Sequence, residues 1–228
     1  MNPLHYIQDF YFPRLCSACE NTLTTYEKHI CISCHLHLPK FKTEYFEDEF
    51  LARKFWGKIN VKNTYSFLQF TKNGPVQHIL HQLKYRNKPE LAEYLGEWYG
   101  NDLKTKDFDK EIDLILGVPL HPEKKKRRGY NQADCFAKGL SIKLNVPREE
   151  DILIRTAFTE TQTNKSRFKR FQNMEGVFEV PNPEAVRGKR IALVDDVLTT
   201  GATLEVAGAV LLASGCSELS ILTIAAAL

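Results

Sequence analysis

A chain of 228 residues, 43% hydrophobic and 26% charged, can bury one substantial core and perhaps a small satellite module. It has no run of about 18 apolar residues, and its start, MNPLHYIQDFYFPRLC, has neither the basic opening nor the small-residue cleavage site of a secretory signal, so no membrane insertion and a cytoplasmic location are expected. A net charge of +3 is too small to demand a nucleic-acid partner, and the placement of the cations matters more than their sum.

Residues 1 to 48 show no long periodicity, carry Cys16-x2-Cys19 and Cys31-x2-Cys34, and run into the acidic EYFEDEF. So short a stretch rarely buries enough apolar area to order itself, and a staple is expected. Two Cys-x2-Cys pairs favour metal over disulfide in a cytoplasmic protein, and four thiolates can surround Zn²⁺ tetrahedrally. Cys16, Cys19, Cys31 and Cys34 are therefore read as ligands of a structural zinc, with a reactive dithiol as the alternative. Lys28, His29, Lys40 and Lys42 give the module positive charge that Glu44, Glu47, Asp48 and Glu49 offset, so contact with nucleic acid or protein stays open. The isolated Cys135 and Cys216 are expected to be packing residues.

From TYSFLQF at 64 to 70, the chain alternates strand and helix. Val76, Ile79, Leu80 and Leu83 share one helical face, and after Pro89 Leu91, Tyr94, Leu95 and Trp98 share a second. DLILGVPL reads as a buried strand. NQADCFAKGLSIKL reads as a helix with Ala133, Phe136, Ala137, Leu140 and Leu144 inward. RIALVDDV is the next buried strand, ATLEVAGAVLLASG a helix stopped by Gly215, and LSILTIAAAL a last strand. Continuous apolar strands between amphipathic helices predict an α/β fold, a parallel sheet with helices on both faces and a ligand at the strands' carboxyl ends.

The segment IALVDDVLTTGAT sets a strand over 191 to 194 directly before two carboxylates. At the carboxyl end of a central strand, Asp195 and Asp196 can accept hydrogen bonds from the hydroxyls of a sugar. The small residues that follow let backbone amides form an anion nest at a helix N-terminus. Carboxylates for a diol beside amides for a phosphate make a ribose-phosphate cradle. The alternative is a solvated strand end and an ordinary helix cap.

This string closely resembles the phosphoribosyl-pyrophosphate (PRPP) signature of type I phosphoribosyltransferases. With VPLHPEKKKRRGYNQA and TQTNKSRFKRFQNMEGVF added, the chain resembles the ComF family over nearly its whole length, the N-terminal four-cysteine module included. That family takes its name from competence for DNA uptake and has gluconate-utilisation relatives. The resemblance implies a 60 to 228 phosphoribosyltransferase-like domain behind the 1 to 48 module. It implies that Asp195 and Asp196 bind the ribose hydroxyls and that Thr199, Thr200, Gly201, Ala202 and Thr203 bind the 5-phosphate. Mg²⁺ is expected to arrive with PRPP, riding on its pyrophosphate and ribose oxygens.

PRPP also needs positive charge for its pyrophosphate. The loop after DLILGVPL carries Lys124, Lys125, Lys126, Arg127 and Arg128, followed by Gly129. Lys126, Arg127, Arg128 and Gly129 are the expected pyrophosphate contacts, Arg128 foremost because a planar guanidinium suits phosphate oxygens. A solvated charge run and a nucleic-acid patch compete with that expectation. The segment 159 to 173 lacks periodicity and, with Lys165, Arg167 and Arg170, suits a lid that excludes water, or else a plain surface loop. The expected function is phosphoribosyl transfer to an open acceptor, with no general base assigned. The alternative is a PRPP-sensing competence factor that binds single-stranded DNA and proteins of the competence machinery.

Overall fold

The computed structural model describes residues 13–41, 49–156 and 177–227. Its main sheet is parallel throughout, with β1 (Asn63–Phe70), β6 (Glu218–Ala227), β5 (Arg190–Leu198) and β2 (Leu114–Gly117) side by side in that order. These strands are apolar along their length because both faces are covered. One face packs against α3 (Pro75–Tyr85), α4 (Pro89–Lys104) and α6 (Gln132–Leu144), through Val76, Leu83, Leu95, Phe136, Val194 and Leu222 among others. The other packs against α7 (Ala202–Ala213) and the residues that follow α2 (Glu49–Ala52), through Phe55, Leu193, Leu204, Leu211 and Ile221. The expected parallel sheet with helices on both faces is what forms. β3 (Ile154–Arg155) and β4 (Phe178–Glu179) make a separate antiparallel pair on the α7 side. No helix among the described residues is long and apolar enough to cross a membrane.

Two expectations need correcting. The strand expected over 191 to 194 runs on to Leu198, so the acidic pair lies within β5 rather than beyond its end. The cause is tertiary: β6 is long enough to keep pairing with β5 as far as Leu198 and Ala226, whereas β2 stops at Gly117, opposite Val194. The basic stretch expected as a loop is a helix, α5 (Pro122–Arg128). His121 caps it by accepting from the Glu123 amide, Pro122 stands in its first turn, and Gly129 ends it in the left-handed conformation (φ 79°).

The cysteine-bearing segment, with α1 (Ile32–His37), shares a core with the α3 and α4 face. Cys16, Leu23, Ile30 and Leu38 belong to the same cluster as Leu80 and Leu91. His35 stacks on Trp98 with ring centroids 3.6 Å apart. Lys40 pairs with Asp102 at 2.8 Å while lying 4.4 Å from the Trp98 ring centre. The chain then runs antiparallel beside β1, where the Gln69 amide donates to the Pro39 carbonyl and the Phe41 amide to that of Phe67.

Candidate functional site

β2 ends at Gly117, and the Val118 amide makes a last bond to the Val194 carbonyl before the chain turns off at Pro119. Beyond that point β5 has, among the described residues, a strand neighbour only on its β6 side, which opens a crevice at the strands' carboxyl ends. Asp195 and Asp196 are the first β5 residues in it. Successive strand residues leave on opposite faces, and the partners agree with this. Asp196 pairs with Lys84 of α3 at 3.1 Å, both side chains being largely buried. Asp195 interacts electrostatically with Arg155, on the β3–β4 side, and accepts from the Asp196 amide at 2.8 Å. Burial first, and the neighbouring Asp196 carboxylate second, push the Asp195 carboxyl up to about 7; the Asp196 amide, Lys84 and Arg155 act the other way.

Thr199, Thr200, Gly201, Ala202 and Thr203 form the turn from β5 into α7. All but Gly201 are exposed. Gly201 is the N-cap, left-handed at φ 80°, and caps without a side chain; the Ala202 amide donates to the Thr200 hydroxyl at 3.4 Å, and the next amides of the first turn point out of the helix end as donors. A Cβ on Gly201 would stand 3.1 Å from Phe55, whose ring lies against the turn. A bulky residue at 201 would therefore disturb packing as well as any ligand. Lys58 pairs with Glu205 at 3.2 Å, which removes the one acidic charge in that first turn.

Lys124, Lys125, Lys126 and Arg127 project from α5 as exposed cations, and Arg128 is half-buried. Arg128 donates to Gln132 Oε1 at 2.7 Å and has a buried Nε with no partner among the described residues. The residues after Gly129 turn inward. The Tyr130 hydroxyl donates to the Leu83 carbonyl at 2.6 Å and Gln132 Nε2 to the same oxygen at 3.1 Å. Asn131 Nδ2 donates to the Val118 carbonyl at 3.0 Å. Asn131 and Gln132 are buried and join α3, β2 and α6. Lys165, Arg167 and Arg170 lie outside the described residues, which stop at 156 and resume at 177, next to the ends of β3 and β4.

Lys84 and Arg155 escaped the sequence reading. Lys84 sits in HILHQLKY as an ordinary polar-face residue, and only the placement of α3 over β5 brings it to Asp196. Arg155 ends a two-residue strand too short to register as a period.

The four cysteines expected as ligands do come together. The Sγ atoms of Cys16, Cys19, Cys31 and Cys34 all lie within 4.8 Å of one another, and Cys19 and Cys31 are 3.7 Å apart. Four sulfurs about 2.3 Å from a central zinc would stand about 3.8 Å apart. The donor set thus fits a tetrahedral thiolate metal such as zinc. The Cys31 amide donates to Cys16 Sγ and the Cys34 amide to Cys31 Sγ, so the backbone already turns donors toward the sulfurs.

The phosphoribosyl transferase domain family matches residues 131–228. That span holds β5, the 199–203 turn, α7 and β6, and begins after the basic helix. DNA utilization protein YhgH of Escherichia coli (strain K12) is 27% identical over 215 residues, 91% of this chain and 88% of that protein. Competence protein F of Haemophilus influenzae is 28% identical over 211 residues, with the same shares of the two chains, 91% and 88%. Competence protein ComFC of Bacillus subtilis is 28% identical over 203 residues, 89% of this chain and 79% of that protein.

Proposed function

Because the chain belongs to the ComF family of competence and DNA-utilisation proteins with a phosphoribosyltransferase domain, we propose that it is a PRPP-dependent phosphoribosyltransferase acting at the carboxyl end of β5. The observation that carries this is the continuity of β5, the acidic pair, the small-residue turn and α7 beside the point where β2 stops. Asp195 and Asp196 take the ribose hydroxyls from two sides. The amides and hydroxyls of Thr199 to Thr203 take the 5-phosphate. Lys126, Arg127, Arg128 and Gly129 take the pyrophosphate, and the buried Arg128 Nε has no partner among the described residues. Mg²⁺ bound with PRPP would offset the leaving group's charge. The bond from the anomeric carbon to pyrophosphate oxygen breaks with its electron pair going to pyrophosphate. The acceptor's lone pair forms the new bond, and its proton passes to solvent. The acceptor is found by screening nucleobases, amines and hydroxyl compounds for PRPP-dependent pyrophosphate release. Release with one acceptor class is expected, and no release with any of them counts against turnover.

A second reading, a PRPP sensor that binds single-stranded DNA without turnover, is favoured by one surface. A cavity of about 550 Å³ between the cysteine segment and the α3–α4 turn has Arg14, Lys28, Arg86 and Lys88 in its wall, against Glu20 and Glu90. The exposed Tyr85 and Tyr26 lie next to it in sequence, and cations interleaved with aromatics suit a single strand. That reading expects DNA binding with a steep salt dependence that flattens when Lys124, Lys125 and Lys126 are neutralised. Undetectable DNA binding at low salt would remove it.

A further inference from the structure

The last turn of α3 touches both halves of the candidate site through two consecutive residues. Lys84 reaches Asp196 Oδ2 at 3.1 Å, and the Leu83 carbonyl accepts from Tyr130 and from Gln132. Gln132 in turn accepts from Arg128, the residue that ends the basic helix. Leu83 is fully buried and Gln132 nearly so, so this joint cannot shift without disturbing the core. Burial pushes the Tyr130 phenol up to about 12, which keeps it a hydroxyl donor throughout the neutral range. No loop is needed to bring the acidic pair and the basic helix into register, because α3 ties them directly.

We propose that Lys84 is a positioning residue, the charge partner that aims the Asp196 carboxylate into the crevice, and that Tyr130 and Gln132 hold it there by gripping the Leu83 carbonyl. This role rests on the phosphoribosyl reading only for its purpose, since the contacts themselves exist without a ligand. The charged groups that face the pair among the described residues are Lys84 from α3 and Arg155 from β3. With Lys84 gone, Arg155 and the Asp196 amide are left to oppose the mutual repulsion of Asp195 and Asp196. The pair then holds a proton to higher pH.

The test uses the full chain with its metal. Side-chain carboxyl titration of Asp195 and Asp196 by carbon-13 NMR is followed in ligand-free wild type, Lys84→Met and Lys84→Arg. The midpoint of the pair is expected to rise by about one pH unit or more in Lys84→Met and to stay near wild type in Lys84→Arg. Tyr130→Phe, which leaves Lys84 in place but loosens its grip, should move the midpoint part of the way. A titration in Lys84→Met that superimposes on wild type overturns the proposal. Mg²⁺-PRPP affinity supplies the second arm. Lys84→Met should bind roughly tenfold more weakly at pH 6, recover toward pH 9, and cost nothing further once Asp196→Asn is present. A loss of equal size at every pH that persists in Asp196→Asn would make Lys84 a direct ligand contact and overturn the positioning role. Wild type that binds no PRPP would sink the phosphoribosyl reading, while the carboxyl titration would still decide on Lys84.

Discussion

Adjacent in the chain, Asp195 and Asp196 meet different surroundings, and the difference sets how the free protein responds to pH. The folded-state value of Asp195, about 7, lies above the 3.8 of an unperturbed carboxyl. A group raised in this way favours the fold while it is protonated. Its contribution is complete below about pH 4 and is lost as pH rises toward 7. Ligand-free wild type should therefore melt progressively lower between pH 5 and pH 7.5, and Asp195→Asn should flatten that slope. A parallel decline in the two proteins, followed by differential scanning fluorimetry, would contradict the burial of this carboxyl. Asp113 falls outside the window: Arg190 holds it down at about 2, so its contribution disappears only in acid below pH 4.

At the scale of elements, the stretch from α2 to β1 braces the 199–203 turn. Phe55 is almost fully buried, lies against Gly201, and precedes Lys58, which pairs with Glu205. Phe55→Ala should cost about 3–5 kcal/mol in chemical denaturation, as emptied aromatic sites do. Phe55→Leu should cost less while still loosening the turn. If Phe55→Ala unfolded with the wild-type midpoint and slope, the brace would be unnecessary. This stretch, FLARKFWGK, was silent in the sequence because a four-residue helix followed by turns shows no apolar period. The long apolar strands and the helices between them were legible, since burial on both faces writes itself as uninterrupted Ile, Leu, Val and Ala. What stayed hidden was pairwise geometry. The length of β5 depends on β6, and the partner of Asp196 depends on where α3 lies over the sheet.

Over the whole molecule, the cysteine cluster and the α3–α4 layer are packed together through His35 on Trp98 and Lys40 on Asp102. The spacing of the cysteines announced the cluster, whereas nothing in the spacing announced the surface it rests on. One tightly held zinc per chain is expected by elemental analysis, lost in Cys16→Ser and Cys31→Ser. Trp98 is 8% exposed beneath His35, whereas Trp56 is already 59% exposed. Stripping the metal should then red-shift tryptophan emission through Trp98 and lower the melting temperature, with the main sheet still folded by circular dichroism. Emission that does not change on chelation would mean that the segment stays docked without its metal.

The proposed phosphoribosyl site is tested most directly by calorimetric titration of Mg²⁺-PRPP into wild type, Asp195→Asn and Asp196→Asn, with circular dichroism to confirm that each is folded. A carboxylate hydrogen-bonded to a sugar hydroxyl is worth about 1.5–3 kcal/mol, so each variant should bind roughly tenfold or more weakly. Wild type that takes up no PRPP, or folded variants that bind it as tightly as wild type, would reduce the end of β5 and the turn into α7 to a strand and a helix cap with no ligand.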